Sequence, residues 1–144
     1  MIGKGHLEKD LKQLAKNLSI FNKTIWIRNT NFIQTYYNIF DIFCLSSKYE
    51  GLGLVLLESL ASGIPILATK SGAIPEIVKN KINGYLVRHG DIDNFSKRIP
   101  DTLKLSTTTQ FKKYLSNMKN LFSLKKVFLA TNKVYRKARI HNYH

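Results

Sequence analysis

Two carboxylates, Glu50 and Glu58, bracket the stretch Gly51-Leu52-Gly53-Leu54-Val55-Leu56-Leu57, which places seven residues between them. A short apolar run, Ile42-Phe43-Cys44-Leu45, precedes the stretch and reads as a buried strand. Leu54 to Ser62 reads as a helix that stops at Gly63. A strand, a glycine turn and a helix start together make an anion site. The first-turn N–H groups lack intrahelical acceptors, and the helix dipole concentrates positive potential at the same spot. Gly51 and Gly53 permit close backbone approach, so the N–H groups of Leu52, Gly53, Leu54 and Val55 would face a phosphate or diphosphate. Glu50 then stands at the mouth of the turn and Glu58 about one turn into the helix, at ~3.6 residues per turn. Each carboxylate can accept hydrogen bonds from hydroxyls, one on either side of the phosphate. A nucleotide-sugar has that shape. The plain alternatives are a surface acid at Glu50 and an ordinary strand-to-helix turn at the glycines. A glutamate on the otherwise apolar segment Leu56 to Leu60 calls for a partner or a site.

The surrounding segments alternate helix and strand. Leu7, Leu11, Leu14 and Ala15 form a helical stripe over Glu8 to Asn17, and Thr24 to Ile27 is a short β-rich run. Phe32 to Asn38 is expected to be helical. Ile66 to Thr69 and Tyr85 to Val87 read as strands, and Ile74 to Val78 as a short helix with Pro75 in its first turn. Asp91 is placed to cap a following helix. Continuous apolar strands alternating with helices imply an α/β fold, a parallel sheet with helices on both faces.

Length and charge narrow the classes. The chain has 144 residues, room for one core, and a formal net charge of +14. Residues 102–144 hold ten Lys/Arg and no Asp/Glu. That segment is expected to be a basic tail, separate from a globular domain over 1–101. The polar break Ser106-Thr107-Thr108-Thr109 precedes apolar groups at helical spacing, Phe111, Tyr114, Leu115 and Met118. Leu121 to Arg139 is expected to be a further helix, and the tail as a whole the most mobile part. A single cysteine, Cys44, leaves no internal disulfide and reads as a small core residue in a reducing compartment. The N-terminus shows neither a signal-peptide pattern nor an apolar run long enough to span a membrane. Gly3-Lys4-Gly5 is a weak glycine-turn signal. His6, His141 and His144 lack the companions of a metal site, so no metal is expected.

The segment Phe43 to Glu58 resembles the donor-site motif of the retaining glycosyltransferases of family 4, the glycosyl transferases group 1 superfamily. The resemblance continues through Tyr36 to Phe43, Ala61 to Thr69, Gly72 to Val78 and Asn83 to Val87, in family order, and covers roughly Ile2 to Arg98. It implies the Rossmann-like C-terminal half of a GT-B fold, with transfer of a sugar from a nucleotide-sugar under retention of configuration and without a cofactor or essential metal. Glu50 takes the catalytic place, orienting the donor sugar. Gly51, Leu52, Gly53, Leu54 and Val55 take the diphosphate, and Glu58 the ribose hydroxyls. Ile27 and Arg28 stand where relatives contact the base, although the family's glycine after that strand is absent here. The matching region is the donor half only, without the acceptor half and the first donor strand. The isolated chain is therefore expected to be incomplete and to require a separate acceptor-domain protein. The implied setting is cytoplasmic, with the basic tail suited to an anionic membrane surface at the inner face; nucleic acid is not expected as a partner. The alternative functions are an inactive truncated fragment and a basic peripheral-membrane binding module.

Overall fold

A computed structural model describes residues 1–121 except 31 and 52, with side chains described through Met118. The chain divides into two compact units, Met1–Tyr36 and Tyr37–His144.

In the first unit, α1 (Glu8–Asn17) begins with Glu8 and Asp10 in its first turn and ends with Lys16 in its last, charges that complement the helix dipole. A 3-10 turn follows at Phe21–Lys23. Of the β-rich run Thr24 to Ile27, only Ile27 pairs, in one parallel bridge to Ile2. The expected strand is thus reduced to a bridge held by Gly3 N–H on Ile27 C=O at 2.9 Å and Ile27 N–H on Met1 C=O at 2.9 Å. Ala15 is the buried member of the α1 stripe; Leu7, Leu11 and Leu14 are exposed.

α2 (Ile33–Tyr37) ends at the first residue of the second unit. There a three-stranded parallel sheet runs in the order β1 (Phe43–Leu45), β2 (Ile66–Thr69), β3 (Gly84–Val87). Phe43 pairs with Ile66, and Ile66 with Gly84. Between the strands lie α3 (Leu54–Ala61) and α4 (Ile74–Ile77); α5 (Ile92–Leu105) and α6 (Thr109–Leu121) follow β3. Helices flank the sheet on both sides, as the alternating pattern predicts. β2 is buried along its whole length. Leu56 and Leu60 of α3, Ile74 of α4 and Phe111 and Met118 of α6 pack with Ile66 and Ala68 of β2 into one apolar cluster. Local chemistry sets the joints. Gly63, at φ 80°, follows the end of α3, and the Asp91 carboxylate accepts from Asn94 N–H at 3.1 Å to cap α5. Asn83 is fully buried, accepting from Lys79 N–H at 2.7 Å and donating to the Ile77 carbonyl at 2.9 Å.

The two outer edges of this sheet differ. At β3 the backbone groups that face away from β2 are closed by its own approach loop. Lys81 N–H donates to Gly84 C=O at 3.0 Å, and Leu86 N–H to Asn80 Oδ1 at 2.8 Å. Among the described residues β1 pairs on one side only, with β2. Cys44, expected in the core, is exposed on this edge strand, because burial on both faces requires neighbours that β1 lacks among the described residues.

The expected boundary at 101/102 falls inside α5, where Thr102 and Leu105 are buried. Charge composition suggested a tail, but apolar positions decide the packing: Leu105 is buried at the end of α5, Phe111 and Met118 are buried two turns apart on α6, and Lys112 and Lys113 stay on the wet face. The expected helix to Arg139, the tail's mobility, and His141 and His144 lie outside the described residues. Among the described residues no helix is long and apolar enough to cross a membrane.

Phe111→Ala should therefore destabilise the second unit by about 3–5 kcal/mol, the usual loss for a buried phenylalanine. Urea unfolding should show this as a lowered midpoint, whereas truncation of the 72%-exposed Ile39 should leave the midpoint nearly unchanged.

Candidate functional site

The paired-glutamate segment forms the predicted strand, turn and helix. β1 delivers the chain to the loop that carries Glu50, and α3 starts immediately after Gly53, which adopts a left-handed conformation at φ 60° and serves as the N-cap. An L side chain there would be strained, and a Cβ would come within 3.1 Å of Leu56 Cδ1. Glycine contributes no capping oxygen, so the start of α3 carries no side-chain cap. Leu56 N–H already donates to the Gly53 carbonyl at 2.9 Å, whereas the N–H groups of Leu54 and Val55, without an i−4 acceptor, remain suited to an anion. Leu54 and Val55 are exposed at this helix start, and Gly51 is exposed before it. Leu52 lies outside the described residues.

The two glutamates occupy different surroundings. Glu50 is half-buried in the loop, and its carboxylate has no hydrogen bond among the described residues. Glu58 is exposed on α3, yet held: the buried Tyr37 hydroxyl donates to Glu58 Oε2 at 3.0 Å and lies 3.3 Å from the Val55 carbonyl. One side of the Glu58 carboxylate is thus fixed by Tyr37 while Oε1 has no such bond among the described residues. Burial first, and then the hydrogen bond to Glu58, push the Tyr37 hydroxyl well above its ordinary range.

Ile27 and Arg28 belong to the first unit, where they line a cavity of about 240 Å³ with Gly3, Lys4, Gly5 and Trp26. Trp26 Nε1 is buried without a hydrogen-bond partner among the described residues. Arg28 is 70% exposed, and its Nε donates to Glu8 Oε2 at 2.8 Å, while Lys12 holds Glu8 Oε1 at 2.8 Å. These two hydrogen bonds, Lys12 first, keep the Glu8 carboxyl below its ordinary range. The cavity was signalled in the sequence only by its two glycines. In the second unit a cavity of about 350 Å³ opens beside the carboxyl ends of the strands, lined by Ser46, Thr69, Arg88, His89 and the apolar Phe95 and Ile99 of α5. No predicted site residue lines it. Among the described residues no three of His, Cys, Asp and Glu gather as a metal set.

Sequence reading missed Tyr37 as the partner of Glu58, because 21 positions separate them and only the fold of the second unit, to which both belong, brings them together. It also missed Thr69 and Ser71, whose hydroxyls both donate to the Ser47 carbonyl below Glu50. The only available signal was a pair of hydroxyl residues two positions apart at the end of the strand, Thr69 and Ser71.

The Tyr37 environment has a measurable consequence. Its raised folded value means that its contribution to stability is fully present below about pH 10, the unfolded value, and is lost as pH rises toward the folded one. Wild-type stability should fall more steeply above pH 10 than that of Tyr37→Phe, in urea titrations of both proteins. Parallel curves would show that the tyrosine ionises as it does in the unfolded chain.

Residues 1–118 match the family described as glycosyl transferases group 1. An uncharacterised glycosyltransferase of Haemophilus influenzae is 39% identical over 98 residues, which is 67% of this chain and 28% of that protein. The N-acetyl-alpha-D-glucosaminyl L-malate synthase of Bacillus anthracis is 32% identical over 104 residues, 72% of this chain and 27% of that protein. The chain thus spans under a third of these relatives. Among solved structures, Anabaena HepE in complex with UDP superposes with a TM-score of 0.76 at 22% identity, covering 90% of this chain and 36% of that one, which establishes the shared fold. A match over most of the chain, in a region built as a strand, a glycine turn and a helix start, makes this chain a member of the glycosyl transferases group 1 family.

Proposed function

We propose that the chain supplies the donor-binding half of a retaining, family 4 glycosyltransferase that uses a nucleotide-sugar. The observation that carries this reading is the junction of β1, the Glu50 loop and α3: an uncapped helix start between two carboxylates, one available in the loop and one fixed on the helix. The family match and the UDP complex of HepE support the ligand class.

In this mechanism the N–H groups at the start of α3 receive the diphosphate, where negative charge builds as the glycosidic bond to the leaving group breaks. Glu50 accepts hydrogen bonds from the donor sugar's hydroxyls and fixes the face presented to the acceptor. Glu58 accepts from the ribose hydroxyls, with Tyr37 setting the carboxylate's orientation. The base-contact role of Ile27 and Arg28 stays part of the proposal and rests on the cavity they line in the first unit. The acceptor and the polypeptide that binds it are supplied from outside these residues.

Calorimetry should detect binding of UDP or GDP and of a matching nucleotide-sugar to the purified chain. Glu58→Ala should weaken the nucleotide and the nucleotide-sugar alike, by about tenfold, a hydrogen-bonding loss of the usual size for a charged acceptor. Glu50→Ala should weaken the nucleotide-sugar selectively. A folded wild-type chain that binds none of these ligands would remove the proposal.

A further inference from the structure

The loop that carries Glu50 is fastened to the structure at two points, and both lie on the segment that leaves β2. Thr69 Oγ1 donates to the Ser47 carbonyl at 2.6 Å, and Ser71 Oγ donates to the same carbonyl at 3.2 Å. Thr69 is buried at the end of the central strand, so its hydroxyl is a fixed point and not a flexible surface group. A single carbonyl accepting two hydroxyl donors uses both lone pairs and fixes its peptide plane.

The second point is steric. Gly72 adopts φ +47°, and a Cβ built on it would overlap the Glu50 carbonyl oxygen and lie 3.1 Å from the Glu50 carbonyl carbon. The backbone of Gly72 therefore touches the backbone of Glu50 with no room for a side chain. The obstruction is main chain, which cannot swing away as a side-chain tip can. Hydroxyls hold Ser47 from one side while Gly72 sets how far Glu50 can retreat. Between them they restrain the backbone of Glu50, although its carboxylate makes no bond of its own among the described residues.

We infer that Thr69, Ser71 and Gly72 are positioning residues that fix the Glu50 carboxylate for the sugar hydroxyls of the donor. This inference rests on the proposed donor site and adds to it a second segment of the chain, Thr69–Gly72, whose role is exerted only through Glu50. The brace acts on the sugar end of the ligand. The diphosphate contacts at the start of α3 and the ribose contact at Glu58 are held separately, by Gly53 and Tyr37. Loosening the brace therefore separates recognition of the sugar from recognition of the nucleotide.

The test compares two dissociation constants on the full chain. One is for whichever of UDP-glucose, UDP-galactose, UDP-N-acetylglucosamine and GDP-mannose the wild type binds most tightly; the other is for the corresponding free nucleoside diphosphate. Thr69→Val keeps the shape and removes the donor, and Ser71→Ala removes the second. Each should weaken the nucleotide-sugar by about fivefold to tenfold and move the free nucleotide by less than about twofold, since the lost quantity is one sugar-specific contact geometry. Thr69→Ser should restore most of the loss, and Gly72→Ala should give the largest one. Equal loss for both ligands, no loss, or failure of Thr69→Ser to recover would overturn the positioning role. Tryptic cleavage after Lys48, which is exposed in the loop, provides the readout independent of ligand. Release of the fragment ending at Lys48 should quicken by at least about tenfold in Thr69→Val, because cleavage of a transiently opened segment tracks its opening equilibrium. If the wild type binds no nucleotide, the proposed function falls, and the proteolysis experiment alone decides the brace: an unchanged cleavage rate overturns it.

Discussion

Burial of β2 on both faces is the constraint from which the second unit is built. Ile66, Leu67, Ala68 and Thr69 are all inside, so helices must cover each side and the neighbouring strands must satisfy the backbone. Parallel pairing on both sides of β2 supplies those bonds. α3 reaches the core through Leu56 and Leu60, α4 through Ile74, and α6 through Phe111 and Met118. Because β2 is fixed so completely, the residues that leave its carboxyl end are fixed as well. The loop after β1 rests against those residues, which is how an apolar strand comes to determine the place of a half-buried glutamate.

The candidate site divides its tasks among elements with different kinds of rigidity. The helix start is set by backbone conformation alone: Gly53 in the left-handed region turns the chain, and the absence of a capping side chain leaves the first N–H groups available. Glu58 is oriented by a buried phenol whose own proton is retained because its surroundings disfavour the anion. Glu50 has neither device and depends on its loop. An acceptor carboxylate for sugar hydroxyls gains from being held by backbone, since this leaves its own lone pairs for the ligand.

In the first unit the electrostatics are of a lighter kind. Glu8 joins Lys12 and Arg28, but Arg28 is largely solvated, and such pairs contribute little to stability. Their effect is to orient the arginine beside a cavity formed by a glycine turn and Trp26. Among the described residues this unit has one parallel bridge and no ladder, because the pairing of Ile2 with Ile27 does not extend to their neighbours.

The order of helices and strands, the parallel sheet, the glycine turn before α3, the stop at Gly63 and the cap at Asp91 were all legible from residue types and spacing. Each depends on interactions within a few positions: backbone angles open to glycine, a carboxylate reaching an N–H three residues on, apolar groups repeating with the helical period. Cys44 was misjudged because a strand's burial depends on its neighbours, and the sequence does not show that β1 lies at an edge. The boundary at 101/102 was misjudged because charge composition marks the wet face of a helix and says nothing of its dry one. The link between Tyr37 and Glu58, and the seat of Glu50 on Thr69, Ser71 and Gly72, were decided by the tertiary structure alone. Those contacts join residues about 20 or more positions apart, and only the packing of strands and helices around β2 brings their atoms within hydrogen-bonding distance.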